Sequence, residues 1–221
     1  MAFDVNTLLS AELHSIKNQM QALLSAQSDL ADALKGHPEF QQQIQQVQSN
    51  SQSLSHNVVE LLSVLKIQND VFEPNIDEHW FCDSVALVIQ DLGAIGQGVK
   101  INLEFDPDLN AFYDEQLISI AIHNCFVNAI KANATEINVD VEELPTGSLN
   151  IMIKDNGDGF ALEQLERGEF NPQGAASGLG LYLMEQALEV HTRNISGQVI
   201  KGAVKVGNQP SGGAIITLFL P

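Results

Sequence analysis

The chain has 221 residues, room for one large domain or two small ones. Ten Lys and Arg against 28 Asp and Glu give a net charge of −18, which excludes the basic stripe that nucleic-acid binding requires and sets the surface against anionic membranes. No apolar run approaches the roughly 18 residues that span a bilayer, and Met1-Ala2-Phe3-Asp4 lacks the basic region of a signal peptide; the expectation is a cytoplasmic protein whose Cys82 and Cys125 are reduced thiols.

Residues 4–35 read as one long helix. Leu9, Leu13, Ile16, Met20, Leu23, Gln27, Leu30 and Leu34 follow one another at alternating steps of four and three, a heptad seam broken only by Gln27. Gly36-His37-Pro38 ends that helix and opens the next. Residues 39–69 repeat the spacing through Phe40, Ile44, Val47, Ser51, Leu54, Val58, Leu61 and Leu65, with Ser51 as the polar break. Two long helices and a short turn make a hairpin. One apolar seam per helix is best buried by pairing two hairpins into a four-helix bundle, so a homodimer is expected.

A linker is expected over Asp70–Asp77, and the pattern then changes. Helices are predicted at 82–96, 114–132 and 178–191. Alternation predicts strands at Lys100–Phe105, Glu136–Val141 and Leu149–Ile153, with further strands near 199–206 and 213–220. The fold class is α+β: an N-terminal helical hairpin over 1–70, then a two-layer α/β sandwich with a mostly antiparallel sheet over 75–221.

Three blocks in the second part carry polar chemistry. On helix 114–132, Asn124, Asn128 and Lys131 stand at i, i+4 and i+7 and share a face. An Asn oxygen suits Mg²⁺, which takes a few protein oxygens beside phosphate and water, and a Lys one turn on reaches a phosphate; interior hydrogen bonding would equally occupy the two amides. Next, Asp155 ends an alternating strand and is followed by Gly157 and Gly159. A carboxylate there can accept from an adenine amino group while glycines let a flat base approach, although Asp-Asn-Gly-Asp-Gly is also plain turn chemistry. Last, Gly178-Leu179-Gly180 opens a helix whose free amides and dipole suit a phosphate, with residues 161–177 as a lid between the glycine blocks.

In this order the blocks resemble the N, G1 and G2 boxes of the GHKL (Bergerat) ATPase superfamily in the form found in bacterial sensor histidine kinases, over roughly residues 75–221. The resemblance implies that ATP binds with Mg²⁺. Asn128 would be the metal ligand with Asn124 its companion, and Lys131 a phosphate contact. Asp155 would be the adenine-reading carboxylate, and Gly157, Gly159, Gly178, Leu179 and Gly180 the pocket and lid residues. It also implies that the hairpin is the dimerisation and phosphoacceptor domain. His14-Ser15-Ile16-Lys17-Asn18 resembles the box that carries the phosphorylated histidine, with His56 a poorer second.

The implied activity is ATP-dependent autophosphorylation of His14 and transfer to an aspartate of a response-regulator receiver domain. Asn18 would be the amide that positions a water for dephosphorylating that partner. Two departures stand out. Ser15 occupies the position of the usual acidic residue, whose general-base help is worth about 100-fold or more in rate, and Gln19 occupies that of a helix-kinking Pro. A histidine phosphotransferase with an ATP-independent kinase-like domain, and a nucleotide-binding regulatory dimer without chemistry, are the alternatives. A serine kinase of anti-sigma type would share the pocket but not the hairpin.

Overall fold

The computed structural model describes residues 5–44, 74–161 and 178–221, with residues 46, 47, 50, 51, 54 and 58. The chain divides into two compact units, Met1–Phe72 and Glu73–Pro221.

In the first unit, α1 runs Val5–Ala33, a stretch free of Pro and Gly and rich in Leu, Ala and Gln, all strong helix formers. A turn at 34–36 closes it, with the Leu34 amide donating to Leu30 at 3.1 Å and that of His37 to Leu34 at 2.9 Å. A single 3₁₀ turn, Pro38–Phe40, restarts the helical course, which continues through the described positions 41–44, 46, 47, 50, 51, 54 and 58. The two polar breaks face each other: Nε2 of Gln27 donates to Oγ of Ser51 and also reaches the Val47 carbonyl. Each polar group in a seam thereby gains a partner instead of standing alone against apolar neighbours. Leu23, Leu30, Phe40, Val47 and Leu54 nevertheless stay 43–53% exposed in a single copy, and Leu30, Leu34, Phe40, Ile44 and Val47 line an apolar groove between the helices. The expected helix over 59–69, the linker over 70–73 and His56 lie outside the described residues.

The second unit is a five-stranded sheet with helices on one face. Its strands are β2 (Lys100–Glu104), β4 (Glu136–Glu143), β5 (Leu149–Asp155), β9 (Ala214–Leu220) and β8 (Ala203–Asn208), in that spatial order. The β2–β4 pair is parallel and the other three are antiparallel. β5 and β9 alternate buried and half-buried residues without a break. Their buried positions, Leu149, Ile151, Ile153, Ile216, Leu218 and Leu220, form one face of the core. Helices α2 (Phe81–Leu92), α3 (Glu115–Lys131) and α4 (Gly178–Glu189) supply the other face, α3 lying between α2 and α4. At roughly 25 cal/mol per Å² of apolar surface, burial of side chains such as Phe81, Phe126, Leu117 and Leu188 is the main force holding the layers together.

Two small ribbons flank this sandwich: β1 (Asp77–Trp80) pairs antiparallel with β3 (Asn110–Tyr113), and β6 (Thr192–Ile195) with β7 (Gln198–Lys201). Alternation did not reveal β1, β3 or β6, because their residues are mostly polar or exposed. The single strand expected at 199–206 is instead two, β7 and β8, separated by Gly202. A Cβ there would stand 2.3 Å from the Leu188 carbonyl oxygen, so the chain turns where only a hydrogen fits against the end of α4. The helix expected at 82–96 ends at Leu92 and tightens into a 3₁₀ turn, Gly93–Gly96.

Candidate nucleotide-binding site

The site is built around the two ends of α3. Asp114 caps its start: Oδ1 accepts from the Leu117 amide at 3.1 Å and Oδ2 from that of Asn75 at 2.8 Å. The backbone amide of Asp114 donates in turn to Nε2 of His191 at 3.0 Å. Since an amide can only donate, Nε2 is the bare nitrogen, and the Nδ1 proton goes to the Ala187 carbonyl 2.8 Å away. This buried, neutral imidazole fastens the end of α4 to the start of α3. Its burial pushes the pKa below the ordinary histidine value, against a smaller opposing effect of the backbone bond to Ala187.

The far end of α3 closes in a Schellman motif, with the Ala134 amide bonded to Ala129 at 3.0 Å, that of Asn133 to Ile130 at 3.1 Å, and Asn133 in the left-handed region at φ 62°. This puts Lys131 in the last turn, exposed.

Between the two ends, Asn124 is buried and its Nδ2 donates back to the Ile120 carbonyl at 3.1 Å, which fixes its amide plane. Gly180, in the first turn of α4, sits directly over that amide. A Cβ on Gly180 would stand 2.6 Å from Oδ1 of Asn124 and 3.9 Å from Nδ2 of Asn128. The absent side chain is what brings the start of α4, with the unpaired amides of a first helical turn, onto the Asn face of α3. Nδ2 of Asn128, a hydrogen-bond donor, is buried with no partner among the described residues. Gly178 and Leu179 open α4. The side chain of Leu179 and the expected lid, beyond Ala161, lie outside the described residues.

Asp155 closes β5 and is buried. Its Oδ1 accepts from the amides of Gly157 at 2.8 Å and Ala214 at 3.2 Å, so the carboxylate is held in one orientation while Oδ2 has no partner among the described residues. The loop that follows is tied to the end of α3. The Asp158 amide donates to the Ala132 carbonyl at 2.8 Å, Nδ2 of Asn133 to Oδ2 of Asp158 at 2.8 Å, and a Cβ on Gly157 would lie 2.4 Å from the same Ala132 oxygen. Asn156 pins the root of the loop to β4, its Oδ1 accepting from the amides of Thr135 and Glu136, both at 2.9 Å.

Asn124, Asn128, Gly180, Asp155, Gly157 and Gly159 are thus all tied to α3 or to the loop bonded to its end. His14 stands on α1 in the other unit with its side chain outside the described residues; Asn18, on the same helix, is exposed. Ser15 is half-buried and receives a bond from Nε2 of Gln19 at 3.4 Å.

Three residues of the site carried no signal in the sequence. Gly213 has φ +83°, and a Cβ there would fall 1.9 Å from the Asp155 carbonyl oxygen. Gln209 donates through Nε2 to the Asp155 and Ala214 carbonyls at 2.7 and 3.1 Å. Asn208 engages both backbone groups of Phe160 at 2.7 Å. Each lies some fifty residues or more from the loop it touches, so no spacing rule joins them.

A donor set of neutral amide oxygens, with a lysine beyond and helix amides opposite, fits a hard divalent cation carrying phosphate oxygens. Asn128 would hold the metal through its amide oxygen.

Parts of this chain resemble known proteins in sequence and in fold. Residues 113–221 match the family model described as histidine kinase-, DNA gyrase B- and HSP90-like ATPase. The sensor histidine kinase ZraS of Salmonella typhimurium is 24% identical over 220 residues, covering 97% of this chain and 45% of the relative. The signal transduction histidine-protein kinase AfsQ2 of Streptomyces coelicolor is 22% identical over 192 residues, 83% of this chain and 34% of the relative. This chain therefore spans less than half the length of these curated relatives. Among solved structures, the Acinetobacter baumannii histidine kinase AdeS superimposes with a TM-score of 0.59 at 18% identity, covering 92% of this chain and 95% of that one. Full-length ShkA in complex with AMPPNP does so with a TM-score of 0.64 at 19% identity, covering 96% and 45%.

Proposed function

We propose that this chain, which carries an ATP-binding catalytic core of the histidine-kinase type, is an ATP-dependent protein-histidine kinase of a two-component system, acting in the cytoplasm where ATP and receiver domains are found. The observation that supports it best is the convergence on α3 of the Asn124–Asn128 face, Gly180 and the Asp155 loop. In this reading Asp155 takes the adenine amino group on its open oxygen, Lys131 and the first-turn amides of α4 hold the phosphates, and Asn128 is the Mg²⁺ ligand. Bound Mg²⁺ would neutralise charge on the phosphates; the protein's own part is positioning.

The phosphoacceptor is His14. A neutral ring nitrogen of His14 attacks the γ-phosphorus. The bond to the β,γ-bridging oxygen breaks, ADP leaves, and the ring proton passes to solvent, since Ser15 offers no carboxylate to take it. An aspartate of a response-regulator receiver domain then takes the phosphoryl group, and Asn18 positions water when the partner is dephosphorylated. The exposed seam of the hairpin is the surface on which two copies pair as a four-helix bundle, making residues 1–70 the dimerisation and phosphoacceptor domain and 75–221 the catalytic one. None of the described helices is long and apolar enough to cross a membrane.

The test incubates the purified protein with Mg²⁺ and γ-labelled ATP beside His14→Gln and Asn128→Ala. Acid-labile label on the wild type, lost in both variants, is the expected result. Ser15, in place of the usual acidic residue, favours the ATP-independent phosphotransferase as a second reading, and a nucleotide-binding dimer without chemistry is a third. The nucleotide-binding dimer predicts ATP binding abolished by Asn128→Ala and no label. No binding and no label would leave the ATP-independent phosphotransferase.

A further inference from the structure

The loop Asp155–Phe160 is gripped at both ends by two consecutive residues. Gln209 holds its first residue, Nε2 donating to the Asp155 carbonyl at 2.7 Å and to the Ala214 carbonyl at 3.1 Å. Asn208 holds its last, Oδ1 accepting from the Phe160 amide and Nδ2 donating to the Phe160 carbonyl, both at 2.7 Å. A side-chain amide that meets both backbone groups of one residue imitates a strand partner, so Phe160 is docked as though β8 had an extra rung. Neighbouring glycines make room for the grip. Gly159, at φ +73°, would put a Cβ 2.8 Å from Oδ1 of Asn208, and Gly213 would put one on the Asp155 carbonyl. The β8–β9 turn fixes the gripping residues themselves, with the Gln209 amide donating to Gly213 at 2.9 Å and that of Gly212 to Gln209 at 3.1 Å.

We infer that Asn208 and Gln209 are positioning residues for base recognition: they set the loop so that the Asp155 carboxylate faces the amino group of an adenine. The inference rests on the nucleotide reading above and adds to it the residues that determine its selectivity. Neither side chain touches the base; both act through Asp155. Their loss should therefore weaken only ligands that Asp155 recognises, which a general loosening of the domain would not do.

The experiment measures, by titration calorimetry on the full chain, the affinity for ADP and for purine riboside diphosphate, its analogue without the 6-amino group. Asn208→Ala and Gln209→Met should each weaken ADP about fivefold to tenfold, the effect of losing one or two ordinary hydrogen bonds, and leave the analogue within about twofold of wild type. Asn208→Asp keeps the acceptor and loses the donor, so it should fall between. On an Asp155→Asn background the same changes should add nothing for ADP. Equal weakening of both nucleotides, or full additivity with Asp155→Asn, overturns the inference while leaving nucleotide binding intact. A wild type that binds neither nucleotide overturns the nucleotide reading, and the inference with it.

Discussion

Gly212 and Gly213 are neighbours with nearly the same backbone, φ +96° and +83°, but opposite surroundings: nothing lies within 4 Å of a Cβ on the first, and the Asp155 carbonyl oxygen lies 1.9 Å from one on the second. Gly212→Ala should cost about 1–2 kcal/mol, the strain of a left-handed L-residue. Gly213→Ala should cost about 3 kcal/mol or more, because backbone cannot yield to backbone. Urea unfolding midpoints of the two variants read the difference, and equal midpoints would refute it. Neither requirement was legible in the sequence, where Gly-Gly before a strand reads as a turn. Asp155 itself was legible, because it ends an unbroken alternation into Asp-x-Gly-x-Gly; what orients its carboxylate was not.

His191 makes a pH prediction at the same scale. Both ring nitrogens are committed in the neutral form, and burial depresses the folded pKa. The unfolded chain therefore takes up the proton first. The stabilisation is complete above the ordinary histidine value near 6.5 and declines as the pH drops below it towards the folded value, by at most about 1.4 kcal/mol per pH unit. His191→Gln should flatten the pH dependence of the unfolding midpoint between pH 7.5 and 5; an unchanged slope would assign the dependence to other groups.

Among the elements, α3 does the most positioning, and its start hangs on one side chain. Asp114 caps the helix, holds Asn75 and is itself held by His191. Asp114→Ala should cost about 1–2 kcal/mol, whereas Asp114→Asn, which keeps one of the two acceptor oxygens, should cost less. Thermal unfolding ranks the two, and equal losses would mean that the carboxylate charge, not the cap, matters. The helix was readable from its apolar run and its Asn face. β5 and β9 were readable for the same reason, since a surface buried on one side imposes a period of two. The ribbon β1–β3 was not: Asp77-Glu78-His79-Trp80 has no apolar alternation, and its pairing with Asn110–Tyr113 depends on partners thirty or more residues away.

For the whole molecule, charge is the dominant fact. In the proposed dimer, two copies at −18 each would have to approach one another to pair through the seams, and their repulsion would be screened as salt rises. Self-association followed by sedimentation should therefore tighten between low and moderate ionic strength. Weakening over that range would place ion pairs, not the apolar seam, at the contact. Among the described residues of the expected heptad seam, the two polar breaks, Gln27 and Ser51, bond each other.

The Ala132 carbonyl, shared by the end of α3 and the Asp158 amide and pressed by Gly157, has a consequence for engineering. The glycine loop and the helix terminus behave as a single cassette, not as two modules. A chimera that grafts Asp155–Phe160 from a relative would have to bring residues 132–136 along, or the graft would meet a foreign helix end at its tightest point. Exchanging both segments together is the smallest transplant that the packing allows.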